Sequence, residues 1–274
     1  MPTLSLITAV HPSGGQYVEA TVDSVLRQEL PPGWELEWLV QEDGAEPRQA
    51  ELFAGVADYQ ATGGQHGPGV TRNVALTRAS GELVRNLDHD DLLLPGALAG
   101  LITRFDDPEI GWAATQADDL LPDGTRRPYA SALPFGVLTP GVVNDWALKH
   151  HACWPIHCAG LTVRTQLLRS VGGWGAAPSD DDLVMFAAVS ELSAGYNDPA
   201  VTWLYRHHDT QLSRQENWWR NDSASKAAVM QRIHALRNGV QSKPLATTEF
   251  EAFPNRRGQK LASGWWADGT QHRS

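Results

Sequence analysis

Three carboxylates and a histidine stand at four consecutive positions in the stretch RNLDHDDLLLPGAL, which covers residues 85–98. Asp88, Asp90 and Asp91 follow a strand-like run and precede a helix-like one. Capping that helix would need only one acid. Carboxylates this close raise one another's pKa unless a cation neutralises them, and Mg²⁺ or Mn²⁺ prefers such oxygen ligands together with a substrate phosphate. The cluster therefore favours a divalent-metal site over helix capping.

A second acidic run, Asp180, Asp181 and Asp182, opens the helix-like segment SDDDLVMFAAVSEL at residues 179–192. Transfer of a group away from a diphosphate needs the diphosphate stabilised and an acceptor hydroxyl deprotonated, so a separate carboxylate could act as general base. Capping by Ser179 or Asp180 is an equally good explanation from the sequence alone. At about 100° per residue, only one or two of the three acids can face a cleft.

The segment KHHACWPIHCAG at residues 149–160 contains five side chains that could bind zinc. They are His150, His151, Cys153, His157 and Cys158. Structural zinc sites generally use closely spaced ligand pairs on hairpins, and this segment lacks that spacing. We therefore expect no zinc site here. The two cysteines are too few and too close in sequence to staple the chain, so we expect reduced thiols.

The elements that must position these residues alternate between strand and helix in the first half. The patterns predict strands at 3–10, 34–44 and 82–87 and helices at 17–28, 46–59 and 70–79. Such alternation predicts a mainly parallel sheet with helices on both faces, in which ligands bind beyond the carboxyl ends of the strands. Asp43 and the cluster at 88–91 both follow predicted strands, so we expect them to share one edge of the sheet.

The second half of the chain is less regular. The patterns predict strands at 109–117 and 200–208, a turn at 120–128, a strand and short helix within 159–174, and helices at 179–192 and 217–237. Residues 131–158 have no clear period, and neither does the tail from about 243 onward.

Composition excludes some classes of protein. The 274 residues are 42% hydrophobic and 20% charged, as in an ordinary globular protein. A formal charge of -10 repels phosphate backbones, so nucleic acid is not an expected partner. The first residues do not look like a signal peptide, and no apolar run approaches the roughly 20 residues of a membrane span, so we expect a cytoplasmic protein without a transmembrane segment.

Six blocks of the sequence resemble, in their order and spacing, those of family-2 glycosyltransferases with the GT-A fold. The blocks are LSLITAVHPSGGQYVEATVDSVLRQ, WLVQEDGA, GPGVTRNVALTRASGELVRNLDHDDLLLPGAL, WPIHCAGLTVRTQLLRSVGGW, SDDDL and YRHHDTQLSR. The resemblance covers roughly residues 3–214. It implies an α/β GT-A domain with a mainly parallel central sheet flanked by helices at 1–214, made of a Rossmann-like nucleotide-binding half at 1–92 and an acceptor half at 93–214. A C-terminal helix and tail would follow at 215–274.

The resemblance also implies roles for residues on the donor side. Asp43 would hold the nucleotide base, Arg72 would approach the nucleotide and its phosphates, and the backbone near Ala9 would contact the nucleotide. Asp88 and Asp90 would form the D-x-D element, with Asp90 as metal ligand and Asp88 reaching the metal or the ribose. His208 would close over the diphosphate or the metal, which is expected to be Mn²⁺ or Mg²⁺.

On the acceptor side, the resemblance implies that Asp180 is the catalytic base. The acid that usually precedes this base is Ser179 here, and Asp181 follows directly, so Asp181 is the alternative. His157 would line the sugar or acceptor pocket.

The sequence therefore predicts an inverting, metal-dependent glycosyltransferase, with a UDP-sugar as the expected donor and a small-molecule, glycan or lipid-linked acceptor. A nucleotidyltransferase is one alternative, but it would need a glycine-rich activating loop with Arg and Lys where HPSGGQ stands. A haloacid-dehalogenase-like phosphatase would carry its D-x-D after the first strand. A non-catalytic carbohydrate-binding protein, suggested by the 11 tryptophans, would bind sugar without nucleotide or metal. Oligomeric state stays open.

Overall fold

The computed structural model describes residues 1–128, 131–150, 153–175, 177 and 179–239. Met1–Arg237 forms one compact unit. The predicted irregular tail from 243 onward and the zinc candidate His151 lie outside the described residues.

Ten strands and eight α-helices are found within the described ranges. The strands are β1 Thr3–Val10, β2 Glu35–Glu42, β3 Asp58–Ala61, β4 Leu83–Asn86, β5 Leu92–Leu93, β6 Ile110–Leu120, β7 Arg126–Pro128, β8 Gly136–Leu138, β9 Leu161–Arg164 and β10 Ala194–Arg206. The helices are α1 Gly15–Leu26, α2 Ala50–Phe53, α3 Pro68–Arg78, α4 Ala97–Ile102, α5 Val142–Lys149, α6 Thr165–Ser170, α7 Asp181–Leu192 and α8 Glu216–Asn238.

All ten strands belong to one mixed sheet, whose main path has the order β3-β2-β1-β4-β9-β6-β10-β5. Strands β1 to β4 pair in parallel with one another, and β9 is antiparallel to both β4 and β6. Since β10 pairs in parallel with β6, both run in the direction of the first four strands. Six strands thus end at the same edge of the sheet, which confirms the predicted α/β architecture.

Apolar side chains cover the two faces of the sheet in separate layers. Successive strand residues point to opposite faces, so Leu6 and Ile7 of β1 enter different layers. Leu6 packs in the layer that includes Val18 of α1 and Leu98 of α4. Ile7 belongs to the other layer, which includes Phe186 of α7. The sheet is therefore buried on both sides.

The helix predicted at 46–59 is wrong for most of its length. Only Ala50–Phe53 is helical, and Asp58–Ala61 forms strand β3, paired in parallel with β2. Gly55 has φ +74°, a left-handed conformation that ends a helix and suits glycine. The apolar spacing around α2 imitates a longer helix, and the sequence analysis missed the edge strand behind it.

The second half also departs from the predictions. Strand β10 begins at Ala194 rather than at 200, and its pairing with β6 shifts register near Asn197 and Val201. The segment without period, 131–158, contains β8 and α5. Bulges interrupt the alternation of side chains, and very short strands show too few residues for any period to appear.

The predicted helices at 179–192 and 217–237 are confirmed as α7 and α8. Val229 and Ile233 of α8 pack against Val184 and Ala187 of α7. Among the described residues, no helix is both long enough and apolar enough to cross a membrane.

Candidate active site

Polar side chains follow or end several of the strands at the common edge of the sheet. Asp43 follows β2, Asp88 comes just after β4, Asp119 is near the end of β6 and His208 follows β10. The prediction that Asp43 and the 88–91 cluster share one edge is confirmed by the strand directions.

Arg72 connects this edge to the start of α7. Its Nη2 donates a hydrogen bond to Asp88 Oδ1 at 2.7 Å, its Nη1 donates to Asp181 Oδ2 at 2.7 Å, and its Nε donates to Asn86 Oδ1 at 3.0 Å. Burial would lower the pKa of Arg72, but the charges of Asp88 and Asp181 outweigh burial and raise it. The guanidinium that the sequence analysis placed near the phosphates is thus held by three protein partners.

Asp88 accepts hydrogen bonds from two side chains. Burial alone would raise its pKa, but Arg72 lies at hydrogen-bond distance and Asn86 Nδ2 donates a second bond at 3.2 Å, so the pKa of Asp88 is lowered. Asp88, Arg72 and Asp181 therefore form a bridge between the loop after β4 and helix α7.

Asp90 and His208 lie in contact across the same edge. The distance from Asp90 Oδ2 to His208 Nε2 is 2.8 Å, and His208 Nδ1 is 2.9 Å from Thr210 Oγ1. The His208 ring also packs on Tyr17, with ring centroids 4.4 Å apart. Two of the predicted metal ligands are thus brought together although 118 positions separate them in sequence.

The donor set fits a divalent cation only if the substrate contributes ligands. Within the described part of the chain, no group of three or more His, Cys, Asp or Glu side chains could hold a metal ion. Asp88 Oδ1 is already bonded to Arg72, which leaves Asp90 and His208 as the pair nearest to a binding geometry. Mg²⁺ commonly takes one or two carboxylates and completes its shell with phosphate oxygens and water, and this pair suits that arrangement.

Asp91 plays a structural part at this edge. It is buried, and its Oδ1 accepts the N–H of Arg206 at 2.9 Å. Burial, followed by the charges of Asp90 and Asp88, raises the pKa of Asp91 well above its usual value. Helix α4 begins after Gly96 without a side-chain cap, so the cluster does not cap that helix.

The predicted base-binding residue, Asp43, holds the loop ahead of α3. Its Oδ1 accepts the N–H of His66 at 2.6 Å and its Oδ2 accepts the N–H of Gly67 at 3.0 Å. Glu42 points elsewhere and accepts the Tyr59 hydroxyl at 2.5 Å. The two acids of QEDGA therefore have different functions, and Asp43 is the one at the entrance to α3.

Ala9, the remaining predicted contact on the donor side, is the penultimate residue of β1. It pairs with Gln41 of β2, and its side chain is buried. Any contact that this position makes with a nucleotide would come from its backbone, as the sequence analysis expected.

The three acids at the start of α7 face different surroundings. Asp180 has φ 55° and ψ 35°, and it is the only non-glycine residue with positive φ in the described ranges. Its side chain makes no cap, and its pKa is raised by burial and by Asp222 of α8. Asp181 points the other way and pairs with Arg72. The two residues predicted as catalytic are therefore either turned toward α8 or bound in an ion pair.

Asp182 combines partial exposure with a raised pKa. Burial, followed by the charge of Asp181, raises the pKa of Asp182 to about 7, against an opposing effect of Arg72. Among the described residues its carboxylate accepts a hydrogen bond only from the Leu183 N–H, at 2.8 Å. A carboxyl group with a pKa near neutrality and no basic side chain bound to it has the properties of a general base. The sequence analysis named this residue in the run but did not select it.

A hollow of about 460 Å³ opens beside the ends of β6 and β10. It is lined by Ala117, Asp119, Arg127, Pro128, His157, Tyr205 and His207. Asp119 pairs with Arg127 at 2.5 Å, and His207 Nε2 lies 2.9 Å from Asp119 Oδ1 without good hydrogen-bond geometry. The sequence analysis predicted only His157 here. Tyr205 and His207 belong to the YRHHDTQLSR block, in which the family resemblance implied a role only for His208. The remaining lining residues are on late positions of β6 and on the short strand β7, where no motif marks them.

His157 carries an unsatisfied polar atom beside this hollow. Its half-buried ring packs against Trp203 and Tyr205, at centroid distances of 4.8 and 4.7 Å, and its Nδ1 has no hydrogen-bond partner among the described residues. Burial lowers the pKa of His157. The aromatic walls and polar rim give the hollow the character of a pocket for a hydroxyl-rich ring.

Comparisons with known proteins agree with this geometry. Residues 5–155 match the family model described as glycosyl transferase family 2. The fold is similar to that of S. aureus TarS residues 1–349 in complex with UDP-GlcNAc, with a TM-score of 0.62 and 17% identity over 87% of this chain and 72% of that one. The same TarS fragment in complex with UDP gives a TM-score of 0.57 and 18% identity, covering 89% of this chain and 67% of that one.

No curated protein matches the chain at a significant level. The family model, however, spans more than half of the chain, and the sheet and its flanking helices match structures with the GT-A fold. The chain therefore belongs to glycosyl transferase family 2.

Proposed function

We propose that the protein transfers a sugar from a nucleotide-diphosphate sugar to an acceptor hydroxyl, with inversion at the anomeric carbon and with Mn²⁺ or Mg²⁺ as cofactor. The observation that carries this proposal is the bridge from Asp88 through Arg72 to Asp181. It joins the acidic edge of the sheet, where a diphosphate would lie, to the start of α7, where a free carboxylate is available.

On the donor side, Asp90 and His208 would hold the cation together with diphosphate oxygens. The bound cation would stabilise negative charge on the departing diphosphate. Asp43 and the backbone at Ala9 would contact the nucleotide, since both stand at the ends of neighbouring strands β2 and β1. A UDP-sugar is the donor we propose, because the similar TarS structures contain UDP-GlcNAc and UDP.

On the acceptor side, we assign the general base to Asp182. The acceptor oxygen would form a bond to the anomeric carbon as the bond from that carbon to the diphosphate oxygen breaks, and the hydroxyl proton would pass to Asp182. A single displacement of this kind inverts the anomeric configuration. Asp181 is less suited because Arg72 binds its carboxylate, and Asp180 is less suited because it is turned toward α8.

The hollow beside β6 and β10 would receive the acceptor. Its volume lies in the usual range for a small-molecule site, and Tyr205 offers an aromatic face to a sugar ring. Asp119 and His157 would bond to hydroxyl groups. This placement fits a glycan, a small molecule or the head of a lipid-linked acceptor.

Calorimetry and a turnover assay test the proposal together. UDP should bind in the presence of Mn²⁺, and binding should weaken by roughly tenfold or more in EDTA, because the cation would bridge protein and diphosphate. UDP-GlcNAc incubated with Mn²⁺ and a panel of hydroxyl acceptors should release UDP. Absence of UDP binding with and without Mn²⁺ would show that the proposed donor is wrong.

A further inference from the structure

The long C-terminal helix α8 touches the start of α7 at a buried pair of serines. Ser225 Oγ of α8 accepts the N–H of Ser179 at 3.1 Å, and the two hydroxyl oxygens are 2.8 Å apart. Ser179 is 2% exposed and Ser225 is 0% exposed. We propose that Ser225 is a positioning residue for the transfer reaction, because it holds the turn from which the carboxylates of α7 project. This inference rests on the proposed function.

The turn held by this contact has a backbone conformation that needs support. Asp180, the residue after Ser179, is in the left-handed region, which costs energy for any residue with a Cβ atom and persists only where surrounding contacts enforce it. Ser225 fixes the chain on one side of Asp180. On the other side, the Gly175 N–H donates to the Asp181 carbonyl at 3.0 Å.

This conformation decides where the three acids point. With the turn in place, Asp181 reaches Arg72 while Asp180 lies near Asp222 and Lys226 of α8, which pair at 2.9 Å. Asp182 is then left without a basic partner. A change of φ at Asp180 would rotate the first turn of α7, and with it both the Arg72 contact and the direction of Asp182.

The residue types at the start of α7 are consistent with the proposed role of Ser225. Family-2 glycosyltransferases resembled by this chain usually have an acid where Ser179 stands, and here the smaller hydroxyl side chain fits against Ser225 instead. Helix α8 lies beyond residues 5–155, the part matched by the family model. The support for the α7 turn therefore comes from a part of the chain that the family model does not match.

The test compares two buried serines that accept a backbone N–H. Ser225→Ala removes the acceptor for Ser179, and Ser5→Ala, at the opposite edge of the sheet, removes the acceptor for the Gly81 N–H, which donates to Ser5 Oγ at 2.9 Å. Turnover of UDP-GlcNAc, UDP affinity, the melting temperature and hydrogen exchange of the Ser179 amide are measured on both variants. Ser225→Cys has a side chain of similar size and is measured as well, so that the test can still be made if Ser225→Ala does not fold.

We expect Ser225→Ala and Ser225→Cys to lower kcat at least tenfold, to leave the Kd of UDP within about twofold, and to speed exchange at Ser179. Ser5→Ala should lose a similar amount of thermal stability with unchanged kcat. Unchanged kcat in the Ser225 variants would overturn the proposal, and so would unchanged exchange at Ser179. If the wild-type protein neither binds UDP nor turns over UDP-GlcNAc, the proposed function has failed, and the exchange data still decide whether Ser225 holds the turn.

Discussion

The two sides of the candidate active site differ in how their polar groups are satisfied. On the donor side, Asp88 pairs with Arg72 and Asp90 pairs with His208. On the acceptor side, His157 Nδ1 has no partner and Asp182 accepts no side-chain hydrogen bond within the described residues. The proposed donor side is therefore held in shape by its own charges, whereas the proposed acceptor side keeps groups that would be free for a ligand and for proton transfer.

The largest effect is expected from the free carboxylate. Asp182→Asn should lower turnover by roughly 10²-fold to 10⁴-fold, because the amide cannot accept the acceptor's proton, while UDP affinity stays nearly the same. Asp180→Asn is the matched control, two positions earlier in the chain and near Asp222 of α8, and should retain most of the turnover. If Asp180→Asn loses turnover and Asp182→Asn does not, the base assignment is wrong.

Removal of the Arg72 guanidinium should lower the stability of the fold. Arg72→Met leaves the partly buried Asp88 and the buried Asp181 without their counter-charge, which is expected to cost about 3–5 kcal/mol in the free energy of unfolding. Arg72→Lys keeps a charge but not the three-way geometry and should fall between Arg72→Met and the wild type. Denaturant titration measures both. Equal stability of Arg72→Met and the wild type would contradict the view that this bridge holds the donor side.

A substitution in the Asp90 and His208 pair should have a smaller effect, limited to metal-dependent binding of UDP. Asp90→Asn should weaken Mn²⁺-dependent UDP binding by roughly tenfold, since one carboxylate ligand is lost. Affinity measured in EDTA should be almost the same in the variant and the wild type. A loss of equal size with and without Mn²⁺ would mean that Asp90 acts on the nucleotide directly and not through a cation.

The smallest effect on stability is expected at Arg85, a second buried arginine that contrasts with Arg72. Arg72 has three partners, whereas Arg85, in the centre of the sheet, has no partner for Nε or Nη1 among the described residues, and burial lowers its pKa to about 10. Arg85→Leu removes this uncompensated charge and should stabilise the protein by about 1 kcal/mol without changing turnover. Destabilisation in the thermal unfolding of Arg85→Leu would show that Arg85 has a partner that contributes to the fold.

The donor side was largely predictable from the sequence. Strands that alternate with helices place their carboxyl ends at one edge, so Asp43 and Asp88 could be brought together without coordinates. The Asp90 and His208 contact could be expected only through the family resemblance, because it joins residues from distant parts of the chain.

The acceptor side was less predictable, for identifiable reasons. The direction of Asp182 depends on the left-handed conformation of Asp180, which no sequence pattern marks at that position. The hollow is lined from the late part of β6, from β7, from His157 and from the end of β10, and β7 is too short to carry a periodic signal. Strand β3 was missed for a related reason, because its four residues follow the left-handed Gly55.

The pH dependence of turnover tests most directly whether Asp182 is the base. Burial, followed by the charge of Asp181, raises the pKa of Asp182 from its ordinary value to about 7, against an opposing effect of Arg72. A base acts in its deprotonated form, so kcat of the wild type should rise with pH through about 7 and level off above it. In Asp182→Asn the residual rate should show no such rise. Persistence of the same rise in Asp182→Asn would contradict the account, because the titrating group would then be another residue.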